Sequence, residues 1–209
     1  MSSNNEKDEC EEYWKSKSLK RKIIEKMRHF YFAKIFTKIV RKYQDNGRIL
    51  EAGCGSGVYL GRLKKNRKIT PVGIDYSKSS IKVAKRNCDN LVLGDIRYLP
   101  FKNNSFDMVF NQGVMEHFSE MEFKDILKEL KRVSKKILII VPSKTSIFKF
   151  RILCPFDATQ KFYNKKELEK LVKKEFSNVE SAYMPTSFFL SVYCYGSNEM
   201  PENGGYIKK

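Results

Sequence analysis

At 209 residues the chain has the length of one domain able to bury a core of its own. Its hydrophobic fraction of 41% and charged fraction of 31% are ordinary for a globular protein; no apolar run approaches a membrane span, and the charged N-terminal stretch does not read as a signal sequence. The net charge of +17 is the outlier, suited to nucleic acid, an anionic surface or acidic substrates, and equally to a solvated exterior with lysines spread along most of the chain.

Five cysteines (Cys10, Cys54, Cys88, Cys154, Cys194) are odd in number and scattered, with no C-x-x-C pair. That argues against a disulfide framework and against a zinc site, so no metal is expected. It points to a reducing, cytoplasmic setting.

Residues 1–18 are polar and acidic, without an apolar period, and read as a disordered tail. From Leu19 to Tyr43 the pattern turns helical: Ile23, Met27, Phe30, Tyr31, Ile35, Ile39 and Tyr43 recur at three- and four-residue steps. Lys22, Lys26, Lys34, Lys38, Arg41 and Lys42 fall largely off that stripe and predict a basic outer face. "QDNG" at Gln44–Gly47 stops the helix.

Strand and helix then alternate. "RILEAG" reads as a strand, Val58–Lys65 as a short helix, and Thr70–Asp75 as a second strand. Ser77–Cys88 is a helix capped by Ser77; Asn90–Asp95 and Ser105–Gly113 are the third and fourth strands. Ser119–Val133 is a helix with Met121, Ile126, Leu127 and Leu130 inward, and "KKILIIVP" (Lys135–Pro142) is an almost continuously apolar fifth strand. A loop from Ser143 to Tyr163, aromatic and basic, precedes the helix "NKKELEKLVKKEF". Two strands, "NVESAYMP" and "FFLSVYCYG", then form a hairpin. The repetition implies an α/β fold, an open, mostly parallel sheet with helices on both faces and an antiparallel edge. Ligands of such sheets bind at the carboxyl ends of the strands.

The first strand-to-helix turn, "EAGCGSG", places three glycines in five positions. Glycine admits positive φ and removes the β-carbon, so a ligand can touch the main chain. A dinucleotide fingerprint needs a glycine where Val58 stands, and Glu51 just before the turn would repel a pyrophosphate. It would attract an amino group. Asp75, ending the second strand, can accept both hydroxyls of a ribose, and Asp95, ending the third, can accept an exocyclic amine. Each acid alone reads equally as a helix cap or loop residue. Together they describe a ligand with an amino group, a ribose and a base but no phosphates, which is the inventory of S-adenosylmethionine.

"ILEAGCGSG", "GIDYS", "GDIRYLPFKNNSFDMVF" and "NQGVMEHF" together resemble the class I S-adenosylmethionine-dependent methyltransferases over Arg48–Pro142. The resemblance implies a Rossmann-like, doubly wound, seven-stranded sheet. It implies that Glu51, Gly53, Cys54, Gly55 and Gly57 surround the methionine part of the cofactor, Asp75 the ribose, and Tyr76, Asp95 and the Ile96 backbone the adenine. Asn111 and Gln112 would border the transferred methyl. The turn before the fifth strand, "VSKKI", departs from the family's Pro-Gly-Gly-like pattern and puts its length in doubt.

On this reading residues 19–200 form one domain: a helical cap (19–46), the cofactor-binding core (47–142), an acceptor loop or lid (143–163), and a C-terminal helix and hairpin (164–200), followed by a tail (201–209). His117 is the candidate general base, packing at a helix start being its other reading; Tyr59 either faces the site or packs, and His29 belongs to the surface or core. No N-P-P-Y-like tetrad follows the fourth strand, and Cys154 has no partner motif for pyrimidine chemistry. The expected acceptor is a small molecule, anionic or aromatic. RNA is the alternative, and a binding module without turnover a third reading.

Overall fold

A computed structural model describes residues 19–146, 160–185 and 190–199, with side chains from residue 31 onward except those of Ser146 and Pro185. The expected tails at 1–18 and 201–209 and the centre of the acceptor loop, with Phe148, Lys149, Phe150, Arg151, Cys154 and Phe156, lie outside the described residues. So do the side chains of Lys22, Ile23, Lys26, Met27, His29 and Phe30.

Helix α1 (Leu19–Tyr43) is followed by β1 (Gly47–Ala52), α2 (Val58–Leu63), β2 (Ile69–Asp75), α3 (Lys78–Ala84), β3 (Leu91–Leu93), β4 (Met108–Gln112), α4 (Glu120–Val133), β5 (Lys136–Pro142), α5 (Lys165–Val172), β6 (Asn178–Pro185) and β7 (Leu190–Ser197). The seven strands form one sheet in the order β3-β2-β1-β4-β5-β7-β6. The first five are mutually parallel; β7 inserts antiparallel between β5 and β6. This is the doubly wound sheet with a C-terminal hairpin that the sequence implies.

The two sheet faces differ. On one, Leu50, Val72, Ile74, Val109, Ile137, Ile139 and Val192 meet α4 and α5 in a largely aliphatic core. On the other, Ile49, Met108, Phe110, Leu138 and Ile140 meet Phe32, Phe36 and Val40 of α1. Strand residues alternate between these faces, as period-two geometry requires.

In α4 the inward positions are Phe123, Ile126, Leu127, Leu130 and Val133, at helical spacing. Met121, expected inward, is 73% exposed because it falls in the first turn, ahead of that stripe. Ser119 and Glu122 close a capping box that starts the helix there. Among the described side chains of α1 the buried stripe is Phe32, Ala33, Phe36, Thr37 and Val40. Tyr31, expected on it, is exposed, and Ile35, Ile39 and Tyr43 lie at its margin. The stripe is rotated because the helix docks through its phenylalanines onto Phe110 and Tyr59. Lys34, Lys38, Arg41 and Lys42 are exposed, as expected.

Five elements are shorter than the sequence predicts: α2 ends at Leu63 and β3 is only Leu91–Leu93. α3 ends at Ala84 and α5 at Val172, each continued by turns, and β4 begins only at Met108. Ser77 caps α3 by accepting from the Ser80 amide at 3.3 Å. The VSKKI turn is tight: the Ser134 hydroxyl donates to the Lys136 carbonyl and accepts from its amide. No helix of the described residues is long and apolar enough to cross a membrane.

Candidate active site

The first turn sits at the carboxyl ends of β1 and β2. The amides of Gly53 and Cys54 both donate to the Ile74 carbonyl, at 2.8 and 2.9 Å, stitching the turn to β2. Gly53, Gly55 and Gly57 have φ of 84°, 49° and 69°, which side chains rarely adopt. Their surroundings separate their roles. A β-carbon at Gly53 would lie 2.6 Å from Val114 Cγ2, and one at Gly57 3.1 Å from the Ala84 β-carbon, so both glycines serve close packing. At Gly55 nothing lies within 4 Å. There the bare backbone faces open space.

Asp75 is buried, and its carboxylate accepts from the Gly55 amide at 2.8 Å and the Ser77 amide at 2.9 Å. It thereby locks the end of β2 to the turn, while each oxygen keeps lone-pair capacity for a ribose hydroxyl. Tyr76, beside it, presents an exposed ring. Glu51 is only 2% exposed, and its Oε2 has no hydrogen-bond partner. Burial, and secondarily the charge of Asp75, holds the Glu51 carboxyl well above the usual carboxylate range. A ligand's cationic amino group would satisfy that orphaned oxygen, so the residues present fit S-adenosylmethionine. The Cys54 thiol is pushed up by burial and by the same two acids, which keeps it protonated and unreactive.

Asp95 follows β3. Its carboxylate accepts the Arg97 amide at 2.8 Å and the Arg97 guanidinium at 2.6–3.1 Å. Those hydrogen bonds hold its carboxyl below the usual range. Ile96 anchors the same loop in the α4-side core. Arg97 is absent from the sequence expectations; its i+2 spacing from Asp95 was the available signal.

Asn111 and Gln112, expected to act together, lie on opposite faces. By strand alternation Gln112 shares the α1 face with Glu51, and its Oε1 accepts the Tyr59 hydroxyl at 3.0 Å. The Tyr59 ring packs on Phe36 with centroids 4.3 Å apart. Asn111 shares the α4 face with Val109, is fully buried, and neither amide atom has a partner.

His117 occupies a single 3-10 turn, Met115–His117, and is exposed. Its neighbour Glu116 is the buried member of that turn, 1% exposed. The Glu116 carboxylate accepts from Gln160 Nε2 at 3.2 Å and its carbonyl from the Lys161 amide at 3.0 Å. The turn thus fastens the residues that lead into α5. Sequence reading missed Glu116, because helical or strand periodicity does not say which of two adjacent polar residues in one short turn faces inward.

Comparison with known proteins agrees with this geometry. A family profile described as "Methyltransferase domain" matches residues 50–140. The chain is 36% identical over 87 residues to the probable tRNA methyltransferase 9B of Homo sapiens, covering 41% of this chain and 18% of that protein. It is 34% identical over 88 residues to the tRNA (carboxymethyluridine(34)-5-O)-methyltransferase of Arabidopsis thaliana, covering 42% and 21%. The chain therefore spans about a fifth of the length of these two curated relatives. Among solved structures, a SAM-dependent methyltransferase of Thermotoga maritima, described as a possible histamine N-methyltransferase, superposes with a TM-score of 0.67 at 19% identity, covering 86% of this chain and 97% of that one. The chain contains a class I S-adenosylmethionine-dependent methyltransferase domain. S-adenosylmethionine is the cofactor of that domain.

Proposed function

We propose that the protein transfers the methyl group of S-adenosylmethionine to an RNA nucleoside. The observation that carries this reading is the composition and position of α1. In 25 residues the helix has nine lysines and arginines (Lys20, Arg21, Lys22, Lys26, Arg28, Lys34, Lys38, Arg41, Lys42) against one acid, Glu25. Its buried face packs through Phe36 on Tyr59, in the helix that follows the glycine turn, and Lys34, Lys38 and Arg41 are exposed on its outer side. A polyanion would be held there by its phosphates. The names of the two tRNA methyltransferase relatives support the same acceptor class.

The cofactor supplies an activated methyl on a sulfonium, so the residues of this chain chiefly align the acceptor and exclude water. Glu51 and Asp75 hold the amino group and ribose, Asp95 the adenine, and Tyr59 with Gln112 walls the methyl side. His117, at the exposed rim, takes a proton where the acceptor atom carries one. A small-molecule acceptor is the second reading. The fully buried, unpartnered amide of Asn111 favours it, because an enclosed polar group is what a small polar ligand satisfies.

Methyl-labelled cofactor, mixed with the protein and extract from its source organism, tests both readings. Label in RNA is the expected result, reduced at least tenfold in a Lys34→Glu, Lys38→Glu, Arg41→Glu variant whose cofactor affinity is unchanged. Label in small metabolites instead establishes the second reading. No label, with cofactor bound, leaves a binding module.

A further inference from the structure

We infer that Glu51 is a proton-exchanging site for the cofactor: in the free protein its carboxyl carries a proton, and docking of the cofactor's ammonium group expels that proton to solvent. The inference rests on the placement of the amino group beside Glu51.

Two carboxyl groups lie at the ends of neighbouring strands, both shut away from water. Asp75 receives two backbone N–H donors, from Gly55 and Ser77. Glu51 is not so served. Its Oε2 has no partner, and the residue is 2% exposed. The Leu60 amide is the one backbone group that favours its ionised form.

Among the described residues, the groups facing it supply no cation. β2 contributes Asp75, α2 the neutral phenol of Tyr59, the turn the neutral thiol of Cys54, and the segment after α3 the thiol of Cys88. β4 contributes Phe110 and the amide of Gln112, and the described buried face of α1 is Phe32, Ala33, Phe36, Thr37 and Val40. A lone carboxylate in such surroundings is costly, and the group neutralises instead. The direction in which burial and Asp75 push its carboxyl agrees.

An α-ammonium brings the missing counter-charge. The carboxylic acid and the ammonium go in, an ion pair forms between carboxylate and ammonium, and one proton leaves to solvent. Neither group is oxidised or reduced, and no further reactant is needed. Below the pH at which free Glu51 ionises, one expelled proton makes affinity rise tenfold per pH unit.

The test is calorimetric titration of the full chain with S-adenosylhomocysteine at pH 7, in phosphate and in Tris, whose protonation heats differ. The expected result is release of close to one proton per site. 5′-Methylthioadenosine, which has the nucleoside and sulfur but no amino group, should bind with no release and no matching pH dependence. Glu51→Gln, checked for folding by thermal denaturation, should bind 5′-methylthioadenosine as the parent does, and S-adenosylhomocysteine more weakly with no release. Binding of S-adenosylhomocysteine without proton release, or equal release from Glu51→Gln, overturns the inference. Failure of both ligands to bind overturns the cofactor placement beneath it. The two-buffer comparison on the parent protein decides the matter even where the variant does not fold.

Discussion

The two faces of the sheet are built from the same strands yet do different work. The α4 face is packed mainly with leucine, isoleucine and valine, joined by Phe106, Phe123, Tyr163 and Phe176, and Asn111 is a rare polar side chain within it. The α1 face carries aromatic rings, and among them Glu51, Tyr59, Gln112 and Asp75 are held buried or partly buried. Aliphatic side chains interdigitate to high density and supply stability. Flat rings with polar edges leave hydrogen-bonding groups unspent next to a cleft. Damage to the apolar packing of the first face should therefore cost stability alone, and damage to the second should cost ligand binding as well.

The largest effects test that division directly. Phe123→Ala on the α4 face and Phe36→Ala on the α1 face should each cost ~3–5 kcal/mol in denaturant unfolding. Cofactor affinity per folded molecule should hold in the first and fall in the second, because Phe36 backs the Tyr59–Gln112 pair. Equal affinity losses in both would erase the distinction. Next in size, Asp75→Ala leaves the Gly55 and Ser77 amides without their acceptor, which should cost about 1–3 kcal/mol. It should also weaken cofactor binding more than tenfold by equilibrium titration.

Tyr59→Phe keeps the ring and deletes one hydrogen bond, so a loss of about 1 kcal/mol is expected. Its effect on cofactor affinity measures how far Gln112 depends on that hydroxyl. The smallest effect has the opposite sign. Glu51's folded pKa is raised, so the folded state binds more protons than the unfolded chain once pH exceeds the ordinary carboxylate value. The contribution of Glu51 is then fully present at low pH and is lost as pH climbs toward the folded value. Glu51→Gln should remove that decline and gain on the order of 1 kcal/mol at neutral pH, while binding cofactor more weakly. Parallel pH profiles of thermal unfolding for parent and variant check it.

Much of this architecture is legible in the chain. The alternation of apolar runs with capped helices marks β1 to β5, and Ser77 caps α3 as the sequence predicts. The acids at the ends of β1 and β2 are recognisable because strand ends and glycine turns have local signatures. What escapes is set by tertiary packing. Whether Met121 or Phe123 faces inward depends on where the capping box starts the helix. Whether Glu116 or His117 is buried depends on a contact with Gln160, 44 positions away in sequence. The different fates of Glu51 and Asp75 depend on which backbone amides reach them, and composition carries no record of that.

The insertion of β7 between β5 and β6 orders events during synthesis. β5 has β4 on one side, but its other side is hydrogen-bonded only by β7, from Lys136–Ser197 to Pro142–Ser191. Until residues 190–197 have left the ribosome, "KILIIVP" has an unpaired, strongly apolar edge. The hairpin is a local structure and can close as soon as it emerges, docking as a unit onto a half-built sheet. A nascent chain stalled at about residue 180 would thus present the segment most prone to join another chain, and chaperone capture should peak at that length and vanish once β7 is clear.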